Sequence, residues 1–217
     1  MSANSLVYGG MYLAPTRSPF NYEKVEQTAR DLATEWLTLD EITNQLNLFG
    51  DESQDGYLQG LELAVRMHIE DYLGLPIFPQ SYRVYYGLDA LYGTPVTLDL
   101  PEVSQNGVTI NSVQYWNNAQ PSVLTTVAST EYYYDATGNK VVIASLPTEM
   151  NTERTNPIIV NYTVAASILA QYPVIKQAGL LLMTHLYNNR SETTMTALQR
   201  IPFGIDMLLR PYKPLVM

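Results

Sequence analysis

The chain has 217 residues, of which 46% are hydrophobic and 15% are charged, so it has enough apolar material for a folded core and too little charge for a disordered chain. It contains no cysteine, which excludes disulfides, thiolate catalysis and zinc–cysteine sites. No apolar run approaches the ~20 residues of a membrane span, and the N-terminus lacks the basic and apolar regions of a signal peptide.

The net charge of −9 is unevenly distributed along the chain. Residues 1–75 carry −8, residues 76–160 carry −4 and residues 161–217 carry +3. This distribution serves solubility, and it also suits head-to-tail assembly in which a basic end of one copy meets an acidic surface of another. An acidic chain is a poor binder of DNA phosphates, so we expect no tight nucleic-acid binding.

The first elements are predicted with unequal clarity. Residues 1–36 are expected to form an N-terminal arm, with a short helix over 22–35. Thr38 and Glu41 match a capping box that begins a helix with Leu39, Ile42, Leu46 and Phe49 on its apolar side, ending near Gly50. A second helix runs from about Gln54 to Leu73 and ends at Gly74 and Pro76. Its apolar stripe comprises Leu58, Leu61, Val65, Ile69 and Tyr72.

Between residues 77 and 165 the periodicity changes from helix to strand. Segments rich in β-branched and aromatic residues alternate with turn residues, and the turn at residues 135–139 predicts a hairpin. The predicted strands are Tyr82–Tyr86, Val96–Leu100, Val108–Trp116, Val123–Val127, Tyr132–Tyr134, Lys140–Ser145 and Ile158–Val164.

Pro173 begins a further helix that reaches about Asn189 and is apolar almost all round, which predicts burial or a subunit interface. The segment after residue 200 is apolar and rich in proline, with one or two helical turns over residues 205–209.

The order of helices, strands and helices predicts the α+β fold class. Its domains are an arm (1–36), a helical core (37–76 plus 166–200), an inserted, mainly antiparallel β region (77–165) and an extended C-terminal tail (201–217).

No catalytic, metal or cofactor site is predicted. The two histidines, His68 and His185, lie on helices and are interpreted as packed or solvent-edge residues. The acid pairs Asp40/Glu41 and Glu70/Asp71 are interpreted as solvated helix faces and not as glycosidase carboxylates. The seventeen tyrosines, many in the β region, suit strand packing, a protein interface or, least of all, a sugar-binding platform.

Five blocks of sequence, in order over residues 37–213, carry a resemblance to a known family. Together they resemble the small head–tail connector proteins of tailed bacteriophages, also called adaptor or head-completion proteins. The blocks are Leu37–Ile42, Leu58–Gly74, Ile158–Tyr162, Pro173–Arg190 and Pro202–Tyr212.

The resemblance implies a structural virion protein and not an enzyme. Such a subunit, assembled in the host cytoplasm, would form a ring, commonly of twelve copies, in the virion neck. It would lie below the portal protein, extend the DNA channel without specific binding to DNA, and offer a surface to the tail or a tail-completion protein. The charge distribution of the chain predicts that this channel is acidic. A different virion protein, a tail or receptor-binding module built on the β region, is the alternative; a small carbohydrate-active enzyme is a distant third.

Two sets of interface residues follow. The C-terminal segment is predicted to dock on the portal, because its apolar residues would otherwise face water and its cations lie beside them; the alternative is that it packs on its own subunit. The portal-docking residues are Phe203, Ile205, Leu208, Leu209, Arg210, Tyr212 and Lys213. Candidate subunit-interface residues are Tyr85, Tyr133, Leu182 and Leu186.

Overall fold

The computed structural model describes residues 21–50, 52–91, 93–101, 107–189 and 203–213. The described residues form four α-helices and eight strands, which confirms the predicted α+β class. The helices are α1 (Leu39–Leu46), α2 (Asp55–Leu73), α3 (Pro173–Asn188) and α4 (Phe203–Leu209). The strands are β1 (Lys24–Arg30), β2 (Gln80–Tyr86), β3 (Val96–Asp99), β4 (Val108–Trp116), β5 (Leu124–Thr126), β6 (Tyr132–Asp135), β7 (Lys140–Ile143) and β8 (Ile158–Val164).

The strands form two sheets. One has the order β1-β2-β8-β4-β5 and the other the order β3-β7-β6. Pairing is antiparallel between β4 and β5, between β3 and β7, and between β6 and β7. The predicted hairpin joins β6 to β7. Asn139 at its end has a positive φ of 51°, a conformation that asparagine tolerates better than most residues.

The chain divides into two compact units. The strand unit comprises residues 1–26, 83–102 and 110–161, and the helical unit comprises residues 27–82, 103–109 and 162–217. Strands β1, β2, β4 and β8 each contribute residues to both units. The predicted division into arm, helical core, β insertion and tail remains a prediction.

The start of α1, the end of α2 and the start of α3 lie at the signals predicted from the sequence. The Thr38 side chain accepts from the Glu41 N–H, and the Glu41 carboxylate accepts from the Thr38 N–H, so the capping box is confirmed. Gly74 ends α2 with a φ of 64°, and Pro173 occupies the first turn of α3. None of the described helices combines the length and apolarity that a membrane span requires.

The core of the helical unit is built where α1, α2, α3 and α4 pack together. Leu58, Val65 and Ile69 on α2 are fully buried, which confirms the predicted stripe. Trp36 packs directly over Gly179 on α3: a Cβ at position 179 would lie 2.7 Å from the indole ring. The indole N–H of Trp36 donates to the Ala170 carbonyl oxygen at 3.1 Å, which fixes the ring in this position.

Two local predictions were wrong. Residues 22–35 were expected to contain a short helix, but Lys24–Arg30 is a strand at the edge of the larger sheet, because pairing with β2 outweighs a weak helical preference. Phe49 was placed on the apolar side of α1, but α1 ends at Leu46 with Asn47 in a left-handed conformation, and Phe49 is 72% exposed. The part of the predicted arm before residue 21 lies outside the described residues.

Candidate functional site

The described residues contain no group of three or more histidines or carboxylates that would hold a metal ion. His68 is exposed on α2, and His185 on α3 is half-buried, with its carbonyl oxygen accepting from the Asn189 side chain at 2.8 Å. Neither histidine is paired with a nucleophile.

Three buried charged residues on α2 were missed by the sequence analysis. Glu62, Arg66 and Glu70 are 3%, 1% and 4% exposed, and their spacing of four residues places them on one side of the helix. The guanidinium of Arg66 donates to the carbonyl oxygens of Thr34 and Asp31, the latter at 2.6 Å. Arg66 thereby holds the segment between β1 and α1 against α2.

Glu62 serves the same segment as an acceptor. Its carboxylate accepts from the backbone N–H groups of Trp36 at 3.1 Å and Leu37 at 3.4 Å. Burial raises the pKa of Glu62, and the two N–H donors and Arg66 act in the opposite direction. The position of Trp36, and with it the packing against α3, therefore depends on an acid within the helical unit.

Glu70 fixes the connection that leaves α2. Its carboxylate accepts from the Ile77 N–H at 2.7 Å and from the Arg30 Nε at 2.8 Å. The prediction that the Glu70/Asp71 pair lies on a solvated face is therefore right for the exposed Asp71 and wrong for Glu70. The spacing 62, 66, 70 was visible in the sequence, but buried charges are rare enough that the pattern favoured an exposed face.

The strand unit carries an open groove with a volume of about 600 Å³, which we call the tryptophan groove. Side chains of β2, β4, β5 and β8 line it, together with the loop that precedes β8. Its lining includes Arg83 and Tyr85 of β2, Trp116 of β4, Leu124 of β5, and Glu153 and Arg154 of the loop.

Two arginines dominate the chemistry of the tryptophan groove. The guanidinium of Arg154 lies over the indole ring of Trp116, 3.9 Å from its centroid. Arg83 Nε donates to the Asn161 Oδ1 at 3.0 Å, and the Asn161 amide nitrogen in turn donates to Gln114 at 3.0 Å. Neither arginine forms an ion pair with another residue in the described part of the chain.

Tyr85, a predicted interface residue, is half-buried at this groove. Its hydroxyl donates to Glu26 at 2.7 Å, and Lys24 lies 5.4 Å from its ring centroid. The hydrogen bond from Lys24, followed by the one from Tyr85, lowers the pKa of Glu26. The edge of β1 therefore presents Glu26 as a carboxylate that is already paired.

The remaining predicted interface residues differ in accessibility. Tyr133 on β6 is 62% exposed and is available to a partner. Leu182 is 4% exposed and belongs to the core of the helical unit, and its place in a subunit interface stays a prediction. Leu186 is half-buried against the same core.

The C-terminal segment is helical over α4 and continues into a 3₁₀ turn over Arg210–Tyr212. Ile205 and Leu209 are 3% and 2% exposed in the core of the helical unit, so the premise that they would face water without a partner is wrong. The Tyr72 hydroxyl donates to Asp206, and Lys213 Nζ lies 4.9 Å from the Tyr72 ring centroid.

The other predicted portal-docking residues lie nearer the surface. Arg210 and Lys213 are exposed, and Leu208 and Tyr212 are half-buried. The Tyr212 ring meets the Tyr172 ring edge-on, with their centroids 5.9 Å apart. Phe203 begins α4, but its side chain lies outside the described residues.

Neither a protein-family model nor a curated protein matches the chain. Three solved assemblies contain chains of similar fold, each alignment covering 90% of this chain and 97% of the other. They are the neck of an empty gene transfer agent (GTA) particle computed with C6 symmetry, the virion of a native GTA particle, and the neck of a native GTA particle computed with C12 symmetry. The TM-scores are 0.61, 0.58 and 0.60, and the identities are 20%, 18% and 17%. Identity at this level establishes similarity of fold.

Proposed function

We propose that the chain is a structural neck subunit of a tailed-phage-like particle, an adaptor that forms a ring, of twelve copies, below the portal. The observation that carries the proposal is the similarity of fold over nearly the whole length of chains found in particle necks. The five sequence blocks over residues 37–213 support the same role independently. The ring would extend the DNA channel and present a surface to the tail.

Charge supports a channel that does not retain DNA. Each copy carries a net charge of −9, and the first third of the sequence carries most of it. Exposed acids in this region include Glu35, Asp40 and Glu52. A channel lined by such residues repels phosphates, whereas a basic lining would hold each phosphate that passed.

The portal contact is proposed for the outward side of the C-terminal segment. Because Ile205 and Leu209 fill the subunit's own core, the residues left for a partner are the exposed Met207, Arg210 and Lys213. Deleting the segment would remove buried side chains and is a poor test. Replacing Arg210 and Lys213 by glutamate should leave the subunit folded while weakening its contact with the portal.

Electron microscopy of the purified protein, alone and mixed with the portal protein of the same particle, tests the function. We expect closed rings that cap the portal, and DNA binding that is weak at all salt concentrations. The double variant R210E/K213E should retain the thermal unfolding midpoint of the wild type but fail to bind the portal protein. A protein that stays monomeric and does not bind the portal protein would contradict the proposal. Specific binding of a glycan would favour the receptor-binding alternative.

A further inference from the structure

We propose that Phe49 and Glu52 dock into the tryptophan groove of a second copy of this chain. The inference rests on the proposed ring. Successive copies in a ring meet through a heterologous interface, in which one patch of a subunit contacts a different patch of its neighbour. The two patches must therefore be complementary in shape and charge.

The first patch is the turn that joins α1 to α2. Phe49 is 72% exposed there, the highest value among the large hydrophobic residues that the structure describes as exposed. Asn47, two residues before it, and Gly50, directly after it, have positive φ values of 57° and 77°, so the chain turns sharply at this point. Glu52 is exposed beside it, so this turn presents an aromatic ring together with negative charge.

The second patch is the tryptophan groove. Its volume of about 600 Å³ lies within the range of clefts that bind small molecules, so it is large enough to receive an aromatic side chain. The residue types that line it, Trp116, Tyr85, Arg83 and Arg154, are those over-represented where single residues dominate binding energy. Leu124 adds an aliphatic surface, so the groove offers a phenyl ring both apolar and aromatic contacts.

The charges of the groove select an anionic partner. Lys24, Arg30, Lys140 and Lys176 each form an ion pair within the chain, whereas Arg83 and Arg154 form none with a described residue. A guanidinium stacked on an aromatic ring, as Arg154 is on Trp116, keeps its N–H edge for in-plane hydrogen bonds to a carboxylate.

Glu153 is the one carboxylate among the described lining residues, against two guanidinium groups. Glu26, which accepts from Tyr85 and is bound by Lys24, also interacts with Arg83, so Arg154 is the guanidinium that the groove offers to a partner's carboxylate. An exposed aromatic ring with an adjacent carboxylate matches this groove, and the same chain supplies one at Phe49 and Glu52.

Cross-linking tests the contact directly, because the chain has no cysteine of its own. The variants E52C and T155C place one thiol beside Phe49 and one at the rim of the groove. Mixed under mild oxidation, alone and with portal, they should form a disulfide-linked dimer. E52C mixed with T137C, on the exposed β6–β7 hairpin outside the groove, is the matched control and should form about tenfold less. Equal yields in the two mixtures would overturn the contact.

Charge exchange gives a second test. E52R and R154E should each weaken self-association about tenfold, and the double variant should recover much of the loss. F49S should weaken it while leaving the thermal midpoint unchanged, because the ring is exposed. One outcome would overturn this contact and leave the proposed function standing: the protein forms rings, residues 52 and 155 do not cross-link, and the single variants self-associate as strongly as the wild type. A protein that neither cross-links nor forms rings, alone or with portal, would overturn both.

Discussion

The two units of the molecule hold their irregular segments in place with different chemistry. In the helical unit, charged groups on α2 bind backbone groups of the chain between β1 and α1 and of the chain after α2: Arg66 binds carbonyl oxygens, and Glu70 binds N–H groups. In the strand unit neutral groups take a larger share of this task, although the Asp99 carboxylate also accepts from the Asn21 N–H at 3.2 Å. The Asn21 side chain pairs with Asp99, and the Tyr86 hydroxyl donates to the Asp99 carbonyl oxygen.

This difference predicts how each unit responds to mutation. Removing one member of a buried charged set leaves its partner without compensation, which is among the more destabilising changes in a protein. Removing a neutral hydrogen bond costs less, because the group left behind is easier to desolvate. We therefore expect α2 to be the sensitive element of the molecule, although its hydrophobic stripe alone would suggest an ordinary amphipathic helix.

The largest effect is expected from R66M. It removes the donor to the Thr34 and Asp31 carbonyl oxygens and the cation beside Glu62, and should lower the free energy of unfolding by about 3–5 kcal/mol. Urea denaturation measures the loss. R154M, at an exposed arginine, is the control and should lose only about 0.5–1 kcal/mol. If R66M does not fold, R66K, which keeps the charge, should fold with an intermediate loss. An R66M protein as stable as R154M would contradict the proposed difference between the units.

In the strand unit, N139A should have a smaller effect. The Asn139 side chain donates to the Leu100 carbonyl oxygen at 3.2 Å and accepts from the Tyr134 hydroxyl at 2.9 Å. Losing both bonds and placing alanine at a positive φ should cost about 2–3 kcal/mol in urea denaturation. N139G loses the bonds without the backbone strain, so it should fall between the wild type and N139A. If the glycine variant is the less stable of the two, the strain contribution is wrong.

Y86F tests a single neutral bond. Burial raises the pKa of Tyr86 well above its ordinary value, so the hydroxyl stays protonated as a donor to Asp99. Its removal should cost about 1 kcal/mol, with the apolar packing of the ring retained. The urea midpoint measures this change. A midpoint equal to that of the wild type would show that the bond adds nothing to the strand unit.

The smallest effect concerns pH. Asp31 is half-buried, and hydrogen bonds from the Thr34 side chain, the Thr34 N–H and the Ala33 N–H lower its pKa from 3.8 to about 2. Because the folded-state pKa is lowered, the carboxylate stabilises the fold above about pH 4, and this contribution is lost as the pH falls towards 2. D31N should therefore show a flatter fall in thermal midpoint between pH 4 and pH 2. Parallel curves for D31N and the wild type would exclude this contribution.

The sequence predicted the parts of the fold that depend on local signals. The capping box at Thr38, the left-handed residue at Gly74 and the proline at 173 mark the helix ends, and the β-rich segments lie within a few residues of β2 to β8. β1 was missed because its residues favour helix as readily as strand, and only pairing with β2 decides between them.

The site was less accessible to sequence reasoning. Charged residues were expected to be solvated, so Glu62, Arg66 and Glu70 were not assigned to the interior. Apolar residues near the C-terminus were expected to need a partner protein, whereas Ile205 and Leu209 find one in their own core. Trp116 and Arg154 are far apart in sequence, so no pattern indicates that they stack.

The strand order of the larger sheet has a consequence for synthesis of the protein on the ribosome. β8 lies between β2 and β4, although it follows every other described strand in the sequence. When β1 to β5 have left the ribosome, β2 and β4 each still have one edge without a partner strand. These two edges stay unpaired until β8 has been synthesised. Pairings this distant in sequence form slowly, and unpaired edges invite aggregation. We therefore expect expression yield to depend on translation speed and temperature more steeply than the stability of the finished fold would suggest.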